Sequence, residues 1–412
     1  MDTPKTFFLI TQGCKVNQYE SQAIREAWLK KGLRETKDAS RADTILINSC
    51  AVTQRAVQDL FRTIRRFHQQ NHAEIIITGC AAQILANELR QEPGVTRVIP
   101  QSAKTELLDL RGKAQPQITG YHRARAAIKI QDGCSHNCSY CIIPKTRGRS
   151  VSRDFTAITD EIKGIFRAGI REISLCGVNL RLFGKDLRPA CDFWDLLAHL
   201  EETLAAYAPT HRLRLSSLEP SELNNKALAT LRAGKLVCPH LHISLQSASS
   251  DVLRGMKRGH YAAPDLLPFF EELRSFWPVF ALGADIIAGF PAESEQAFEE
   301  TYNFCSKAPL TYAHIFPFSP RPSTPAAHLP GQIFPHIRHA RAKKLRQLVT
   351  AKKQAFLTSL TAQKQLAIIP ENRQKGMCQF YVECMSESEL VPGQIQVVRP
   401  VGVKHNNLVV TL

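Results

Sequence analysis

The sequence lacks the features that would place it in or across a membrane. It contains no run of about 18 apolar residues, which is the length that a membrane-spanning helix requires. Its amino terminus is polar and carries Asp2 and Lys5, so the basic start and apolar stretch of a secretory signal are both missing. No long repeat and no low-complexity tract is present. We therefore expect a globular, cytoplasmic protein with no membrane partner.

Acidic residues are scarce relative to basic ones. The chain has 37 Asp and Glu against 53 Lys and Arg, a net charge of +16. Between residues 330 and 370 no acidic residue occurs, and residues 336–356 are expected to form a basic helix. A polyanionic partner, most simply nucleic acid, explains such an excess. A solvated charged face is the alternative.

The 12 cysteines are expected to be reduced thiols, because a cytoplasmic chain does not keep disulfides. They are therefore candidates for metal ligands, for catalysis or for core packing. Six of them fall into two groups, one defined by close spacing and the other by position after predicted strands. The other six share no pattern and are interpreted as packing residues: Cys176, Cys191, Cys238, Cys305, Cys378 and Cys384.

The alternation of short apolar runs with helical stretches predicts an α/β protein of three units. In residues 3–116, strands are expected at 6–10, 43–48 and 74–78, with helices between them, which indicates an open parallel sheet. Residues 120–350 contain six candidate strands with intervening helices and are expected to form a partial β/α barrel. Residues 351–412 are predicted to form a small β-rich region after the basic helix.

The sharpest motif is a C-x3-C-x2-C loop that follows the first strand of the second unit. It consists of Cys134, Cys138 and Cys141. A 4Fe–4S cluster normally takes four cysteines, so three thiolates leave one iron open for a cofactor. Structural zinc, with His136 as a fourth ligand, is the alternative. Only one residue separates His136 from Cys134 and one from Cys138, and this short spacing makes a joint tetrahedral site awkward.

A second set of cysteines is spread along the first unit. Cys14, Cys50 and Cys80 each follow one predicted parallel strand directly. Because the carboxyl ends of parallel strands line one edge of a sheet, we expect these three side chains to converge. Isolated core cysteines are the alternative, but three in the same topological position favour a second metal site.

Both cysteine groups, with their flanking residues, resemble the radical S-adenosylmethionine methylthiotransferase family. The similarity lies in IQDGC at 130–134, IIPKTRG at 142–148, TQGCKVN at 11–17, NSCAV at 48–52 and GC at 79–80. It covers residues 5–350. SSLEP at 216–220 and GVNL at 177–180 are most similar to the branch that acts on N6-threonylcarbamoyladenosine in tRNA. The tail resembles a degenerate form of the small TRAM β-barrel.

The resemblance implies two [4Fe-4S] clusters and S-adenosyl-L-methionine as cofactors. Cys134, Cys138 and Cys141 would bind the cluster that generates a radical from S-adenosylmethionine. Cys14, Cys50 and Cys80 would hold an auxiliary cluster that carries the sulfur. The expected reaction is insertion of a methylthio group at C2 of the modified adenosine 3′ of the anticodon. Its partners would be a tRNA anticodon stem-loop and a one-electron reductant of the flavodoxin or ferredoxin type.

The same comparison gives further site residues. Those expected near S-adenosylmethionine are Gly177, Asn179, Gln246 and Gly289, for which ordinary strand-end turns are the alternative. Those expected to contact RNA phosphates are Arg147, Arg149, Arg153, Arg341 and Lys344. Alternative functions are methylthiolation of isopentenyladenosine in tRNA, methylthiolation of an aspartate of a ribosomal protein, and, in another class, a non-catalytic metal-stabilised RNA-binding protein.

Overall fold

The first unit is an open parallel sheet covered by helices. The computed structural model describes residues 5–70, 72–108 and 116–412, so residues 3, 4, 71 and 109–115 of the predicted first unit lie outside the described residues. The unit contains β1 (Thr6–Thr11), α1 (Lys15–Lys30), β2 (Arg34–Glu35), β3 (Thr44–Ser49), α2 (Gln54–Gln70), β4 (Glu74–Gly79), α3 (Cys80–Ile84), α4 (Ala86–Gln91) and β5 (Val95–Val98).

Strands β3 and β4 lie inside this sheet and are buried. All six residues of β3 are buried, and so are five of the six in β4, as expected for strands covered on both faces. The order is β2-β1-β3-β4-β5 with every pair parallel, which confirms the predicted α/β class. The carboxyl ends of β1, β3 and β4 therefore lie side by side.

The second unit is an incomplete parallel barrel with helices outside. Its elements are β6 (Ala126–Lys129), β7 (Gln131–Asp132), α5 (Ile143–Arg147), β8 (Val151–Ser152), α6 (Phe155–Arg167), β9 (Glu172–Cys176), α7 (Phe193–Thr203), β10 (Arg212–Leu215), β11 (Ser217–Leu218), α8 (Asn225–Ala233), β12 (His240–Gln246), α9 (Ser250–Gly255), α10 (Leu266–Phe276), β13 (Ala281–Ala288), α11 (Glu295–Lys307) and β14 (Tyr312–Pro317). One sheet has the order β10-β9-β6 and the next β11-β12-β13-β14. Since only Ser216 separates β10 from β11, the two sheets form one open wall.

Side chains alternate across the barrel wall. On β12, Leu241, Ile243 and Leu245 pack outward in the main core with residues of α10. His240 and His242 point the other way, into the bore of the barrel, where their rings meet Tyr312 of β14. The bore is therefore lined by polar side chains, whereas the layer between strands and helices is apolar.

The third unit is a closed five-stranded barrel at the end of a long helix. It contains α12 (Pro335–Leu360), β15 (Leu366–Pro370), β16 (Lys375–Cys378), β17 (Glu383–Ser386), β18 (Gln396–Lys404) and β19 (Asn407–Thr411). The barrel closes in the order β15-β16-β17-β19-β18. The domain boundary that the sequence predicts at residue 350 falls inside α12, which runs without a break to Leu360.

The small barrel closes the amino-terminal end of the central one. Arg212 donates to the carbonyl oxygens of Ala367 and Met377, at 2.8 and 2.9 Å, and Arg214 donates to that of Cys378 at 3.1 Å. Both arginines also bind Glu172, whose carboxylate lies 2.6 Å from Arg212 Nε and 2.8 Å from Arg214 Nε. Glu172 and Arg214 are fully buried.

Glu172→Gln is expected to destabilise the protein strongly. Glutamine keeps the shape but removes the charge that compensates two buried guanidinium groups, which costs about 3–5 kcal/mol. The shift in the urea midpoint, followed by circular dichroism, measures the loss. Glu300→Gln on the exposed face of α11 is the matched control and should change the midpoint little. Equal midpoints for the two variants would contradict this account of how the barrels dock.

Candidate metal centres

Three cysteines converge at the carboxyl edge of the first sheet. Cys14 directly precedes α1, Cys50 directly follows β3, and Cys80 directly follows β4. The approach is close enough that a side chain on Gly13 (φ +98°) would lie 3.1 Å from the Cys50 sulfur. The structure thus brings the three residues together as the strand positions predict. We call Cys14, Cys50 and Cys80 the sheet triad.

Amide side chains lock the turns that carry the sheet triad. Asn17 Nδ2 donates to the Gln12 carbonyl oxygen at 2.8 Å and to that of Ser49 at 3.0 Å. Asn48 Nδ2 donates in return to the Asn17 carbonyl oxygen at 2.9 Å. The bonds of Asn17 to Ser49 and of Asn48 to Asn17 join the segment after β1 to the end of β3. They restrain the turns that carry Cys14 and Cys50.

The second triad lies in the loop between β7 and α5. The backbone N–H of Cys134 donates to the Gly148 carbonyl oxygen at 2.9 Å, and that of Cys141 to Cys138 at 3.1 Å. Asn179 Nδ2 lies 3.6 Å from the Cys134 sulfur and is positioned to donate to it. Burial raises the pKa of Cys138 and raises that of Cys141 to about 12. We call Cys134, Cys138 and Cys141 the loop triad.

The donor sets fit a multi-iron cluster better than a single zinc ion. Tetrahedral zinc with thiolate ligands holds its sulfurs about 3.8 Å apart. In the part of the chain that the structure describes, only His242, Asp285 and His314 bring three ligand atoms within 4.8 Å of one another. Neither cysteine triad is that tight. His136 Nδ1 lies 3.9 Å from the Cys138 sulfur, but among the described residues no third ligand atom joins this pair within 4.8 Å, so the two do not form a compact zinc site.

A buried arginine supports the loop triad, and the sequence analysis missed it. Arg258 Nη1 lies 3.7 Å from the Cys138 sulfur, while Nη2 donates to Glu219 and to the Ser244 carbonyl oxygen. Glu219 also accepts from His260 Nε2 at 2.9 Å. Burial raises the pKa of Glu219, but His260 and Arg258 outweigh it and hold the pKa below its ordinary value. An anchored cation beside Cys138 favours the thiolate that binds a metal.

One carboxylate joins the two triads. Glu20 of α1 accepts from Lys104 Nζ at 2.6 Å, from Arg147 Nη1 at 3.0 Å and from Lys129 Nζ at 3.2 Å. Arg147 also donates to Asp132, two residues before Cys134, at 2.8 Å. Opposing charges outweigh burial, so the pKa of Glu20 lies well below its ordinary value. The network ties α1, the helix that Cys14 precedes, to the loop that carries Cys134.

Three of the predicted RNA contacts are wrong, because their side chains are buried in ion pairs. Arg147 is 1% exposed and bound to Glu20 and Asp132. Arg153 is 3% exposed and bound to Glu161, and Arg341 is 9% exposed and bound to Glu293. A charge run alone does not distinguish such arginines from solvent-facing ones. Of the predicted set, Arg149 and Lys344 are exposed.

The residues predicted near S-adenosylmethionine have varied surroundings. Asn179 faces the loop triad, as described above. Gly177 packs against Gln131, whose Oε1 accepts from the backbone N–H groups of Val178 and Asn179 at 2.9 and 3.0 Å. Gly289 has φ +76° and is covered by Arg338, which a Cβ would meet at 2.3 Å. Gln246 ends β12 in a left-handed conformation, with φ +60°. These assignments to the cofactor stay predictions.

The bore of the central barrel also holds a histidine–aspartate group. His242 Nε2 lies 3.2 Å and His314 Nδ1 lies 3.1 Å from oxygens of Asp285. Burial raises the pKa of Asp285, but the hydrogen bonds from the two histidines outweigh it and leave the pKa well below the ordinary value. Asp285, which the sequence leaves without a role, is thus an anionic residue of the bore wall.

Two family models match the chain over most of its first two units. The uncharacterized protein family UPF0004 matches residues 6–100, and the radical SAM superfamily matches residues 128–305. Together with the loop triad at the mouth of a partial barrel, the second match defines a radical SAM enzyme. No helix among the described residues is long and apolar enough to cross a membrane.

Full-length relatives narrow the class. The chain is 31% identical to a threonylcarbamoyladenosine tRNA methylthiotransferase MtaB of Rickettsia prowazekii over 96% of its own length and 95% of the relative's. It is 33% identical to the enzyme of that name from Thermotoga maritima, covering 97% and 94%. A tRNA-2-methylthio-N(6)-dimethylallyladenosine synthase of Bartonella quintana is 31% identical, covering 87% and 85%. The chain belongs to the radical SAM methylthiotransferase family. It uses S-adenosylmethionine and [4Fe-4S] clusters, as that family does.

Solved structures agree with the fold. The radical S-adenosylmethionine methyltransferase TsrM from Kitasatospora setae, with cobalamin and a [4Fe-4S] cluster bound, superposes with a TM-score of 0.57. Identity is 16%, and the match covers 79% of this chain and 74% of that one. This likeness supports the overall fold of the chain.

Proposed function

We propose that this enzyme inserts a methylthio group at C2 of N6-threonylcarbamoyladenosine, 3′ of the anticodon of tRNA. The observation that carries the proposal is the pair of cysteine triads on facing units, joined through Glu20. Relatives named for this reaction, which match nearly the whole chain, support the choice of substrate. A tRNA substrate in turn favours a cytoplasmic location.

Each triad has a separate part in the proposal. The loop triad would hold the cluster that binds S-adenosylmethionine, and the sheet triad would hold the auxiliary cluster. When bound, these groups supply the electron, the radical and the sulfur that the reaction needs. A flavodoxin- or ferredoxin-type protein would provide the electron. The first unit, the central barrel and the carboxyl-terminal barrel would then serve as the sulfur-carrying, radical-generating and RNA-facing domains.

The chain's own residues would hold the two centres in register. Asn179 and Arg258 point donors at the loop triad, and Asn17 and Asn48 fix the turns of the sheet triad. The Glu20 network ties the first unit to the central one, because Lys129 and Arg147 of the central unit share the carboxylate of Glu20 with Lys104. Fixed separation matters because a group can be passed between two centres only when both reach the same substrate atom.

Contacts to RNA phosphates would come from exposed basic residues near the barrel. Arg149 lies just after α5, the helix that follows the loop triad, and Lys344 lies on α12 beside Lys343. Lys344 pairs with Glu299 on the surface, an interaction that water and salt screen and that a phosphate can replace.

The second candidate is methylthiolation of dimethylallyladenosine in tRNA. It is favoured by relatives of that name, which are also about 31% identical over most of the chain. The chemistry at the two triads would be the same, so the difference lies in how the substituent on N6 is held.

Nucleoside mass spectrometry of tRNA tests the proposed substrate. In cells that lack this gene, methylthio-threonylcarbamoyladenosine should disappear and its unmethylthiolated precursor accumulate, and the intact gene should restore the product. The Cys50→Ala gene, expressed at the same level, should not restore it. Loss of methylthio-dimethylallyladenosine instead would favour the second candidate, and unchanged tRNA would contradict both.

A further inference from the structure

A lysine beside the sheet triad reaches into the bore of the central barrel. Lys15 is the first residue of α1 and follows Cys14 directly. Its Nζ lies 3.5 Å from Ser174 Oγ on β9 and 5.6 Å from the ring centre of Tyr381, which enters the bore from the carboxyl-terminal barrel. The residue is half-buried, so part of its surface stays accessible to solvent.

Lys15 has no anionic partner among the described residues. No Asp or Glu oxygen of that part of the chain lies within 4.0 Å of its Nζ. A buried carboxylate in the same region, Glu172, already binds Arg125, Arg212 and Arg214. The other bore lysine, Lys129, is different, because it pairs with both Glu20 and Asp132. A half-covered ammonium with one weak hydrogen bond is a ready site for an anion.

The position of Lys15 limits which anion it can meet. A substrate that receives sulfur at the sheet triad must bring adenine C2 close to Cys14. C6, the ring atom that carries the N6 substituent, is separated from C2 only by N1, so the substituent lies on the same edge of the base as C2. It therefore enters the space next to Lys15. A threonylcarbamoyl group ends in a carboxylate, whereas a dimethylallyl group is a hydrocarbon and has none.

We propose that Lys15 binds the carboxylate of the threonylcarbamoyl group and thereby selects this substrate over adenosines with an uncharged N6 substituent. The inference rests on the proposed function. Ser174 would accept one hydrogen bond from the ammonium, leaving two donors for the carboxylate. Tyr381 would cover the other side of the ammonium with the face of its ring.

Two synthetic anticodon stem-loop RNAs test the proposal. One carries threonylcarbamoyladenosine, and the other carries the same nucleoside with its carboxylate as the methyl ester. Dissociation constants from fluorescence anisotropy and methylthio product from mass spectrometry are measured for the wild type, for Lys15→Gln and for Lys15→Arg. The wild type should prefer the free carboxylate by about 10- to 100-fold, the usual weight of a charge-assisted hydrogen bond in a shielded site.

Lys15→Gln should lose this preference by weakening only the interaction with the free carboxylate, and Lys15→Arg should retain part of it. Lys235→Gln, at an exposed lysine remote from both triads, should behave as the wild type. If Lys15→Gln weakens both RNAs equally, or the wild type does not distinguish them, the inference is overturned while the proposed function stands. If the wild type methylthiolates neither RNA, the proposed function fails and the inference with it.

S-adenosylmethionine also has a carboxylate, and a third measurement separates the two sources. Its cleavage to 5′-deoxyadenosine in the absence of RNA, and its dissociation constant, should be unchanged in Lys15→Gln. A tenfold weaker dissociation constant for S-adenosylmethionine would mean that Lys15 binds the cofactor, and would overturn the assignment to the substrate.

Discussion

Cys134→Ala is expected to reduce the formation of 5′-deoxyadenosine from S-adenosylmethionine to background. Removing one of three thiolates leaves the loop triad with two ligands, too few to hold a cluster with a single open iron. Methylthio product should vanish as well, because no radical forms. Liquid chromatography of the reaction, with dithionite as reductant, measures both.

The matched control for this variant is Cys191→Ala. Cys191 is partly buried in a loop outside both triads, and its sulfur lies 4.0 Å from the Gly184 carbonyl oxygen. It should cleave S-adenosylmethionine at the wild-type rate. Undiminished cleavage by Cys134→Ala would mean that the loop triad is not the radical-generating centre.

Cys14→Ala is expected to separate the two activities. Cleavage of S-adenosylmethionine should persist, because the loop triad, Asn179 and Arg258 are unchanged, whereas methylthio product should fall to background. Cys14 is exposed and precedes α1, so its replacement leaves no cavity in the core. The same two assays on one reaction mixture give the ratio of 5′-deoxyadenosine to methylthio product.

Comparing Cys14→Ala with Cys134→Ala shows whether the loss of methylthio product is specific to the sheet triad. Both variants remove one thiol from a triad, so the activities that each one loses distinguish the two centres. If Cys14→Ala loses cleavage together with product, the two triads are not separate centres. Full methylthio product from Cys14→Ala would mean that the sheet triad carries no sulfur.

The convergence of the sheet triad could be predicted from the sequence because topology dictates it. Cys14, Cys50 and Cys80 each follow a run of apolar residues, and parallel strands that are buried on both faces place their carboxyl ends together. The loop triad was predictable from spacing alone. The cysteines of the loop triad are close together in the sequence, and each cysteine of the sheet triad follows a similar apolar run. Both patterns can therefore be seen in the sequence itself.

The ion pairs between the units could not be predicted in this way. Glu20 meets Lys129 and Arg147 across 109 and 127 residues, and nothing near these two residues in the sequence indicates Glu20 as their partner. The sequence also predicts RNA contacts for Arg147, Arg153 and Arg341, because a basic residue type does not show burial; in the structure each is buried against a carboxylate. The closed carboxyl-terminal barrel was only partly predicted, because the two pairings that close it, β15 with β18 and β17 with β19, join strands that are not consecutive in the chain.

Lys15 shows what the structure adds at the site itself. The sequence gives it only as the neighbour of Cys14. In the fold, Ser174 and Tyr381 lie beside its ammonium, and the carboxylate of Glu172 binds three arginines. Whether the Lys15 ammonium has an anionic partner among the described residues depends on the whole fold, so a local sequence motif does not indicate it.

The most direct test of the two-centre account is the iron and acid-labile sulfide content of anaerobically purified protein. We expect about eight irons and eight sulfides per chain for the wild type, since each cluster contributes four of each. The variant with all three loop-triad cysteines replaced by alanine, and the variant with all three sheet-triad cysteines replaced, should each retain about half. A colourless wild type that contains zinc and no iron, or a triple variant that keeps the full iron content, would contradict the account.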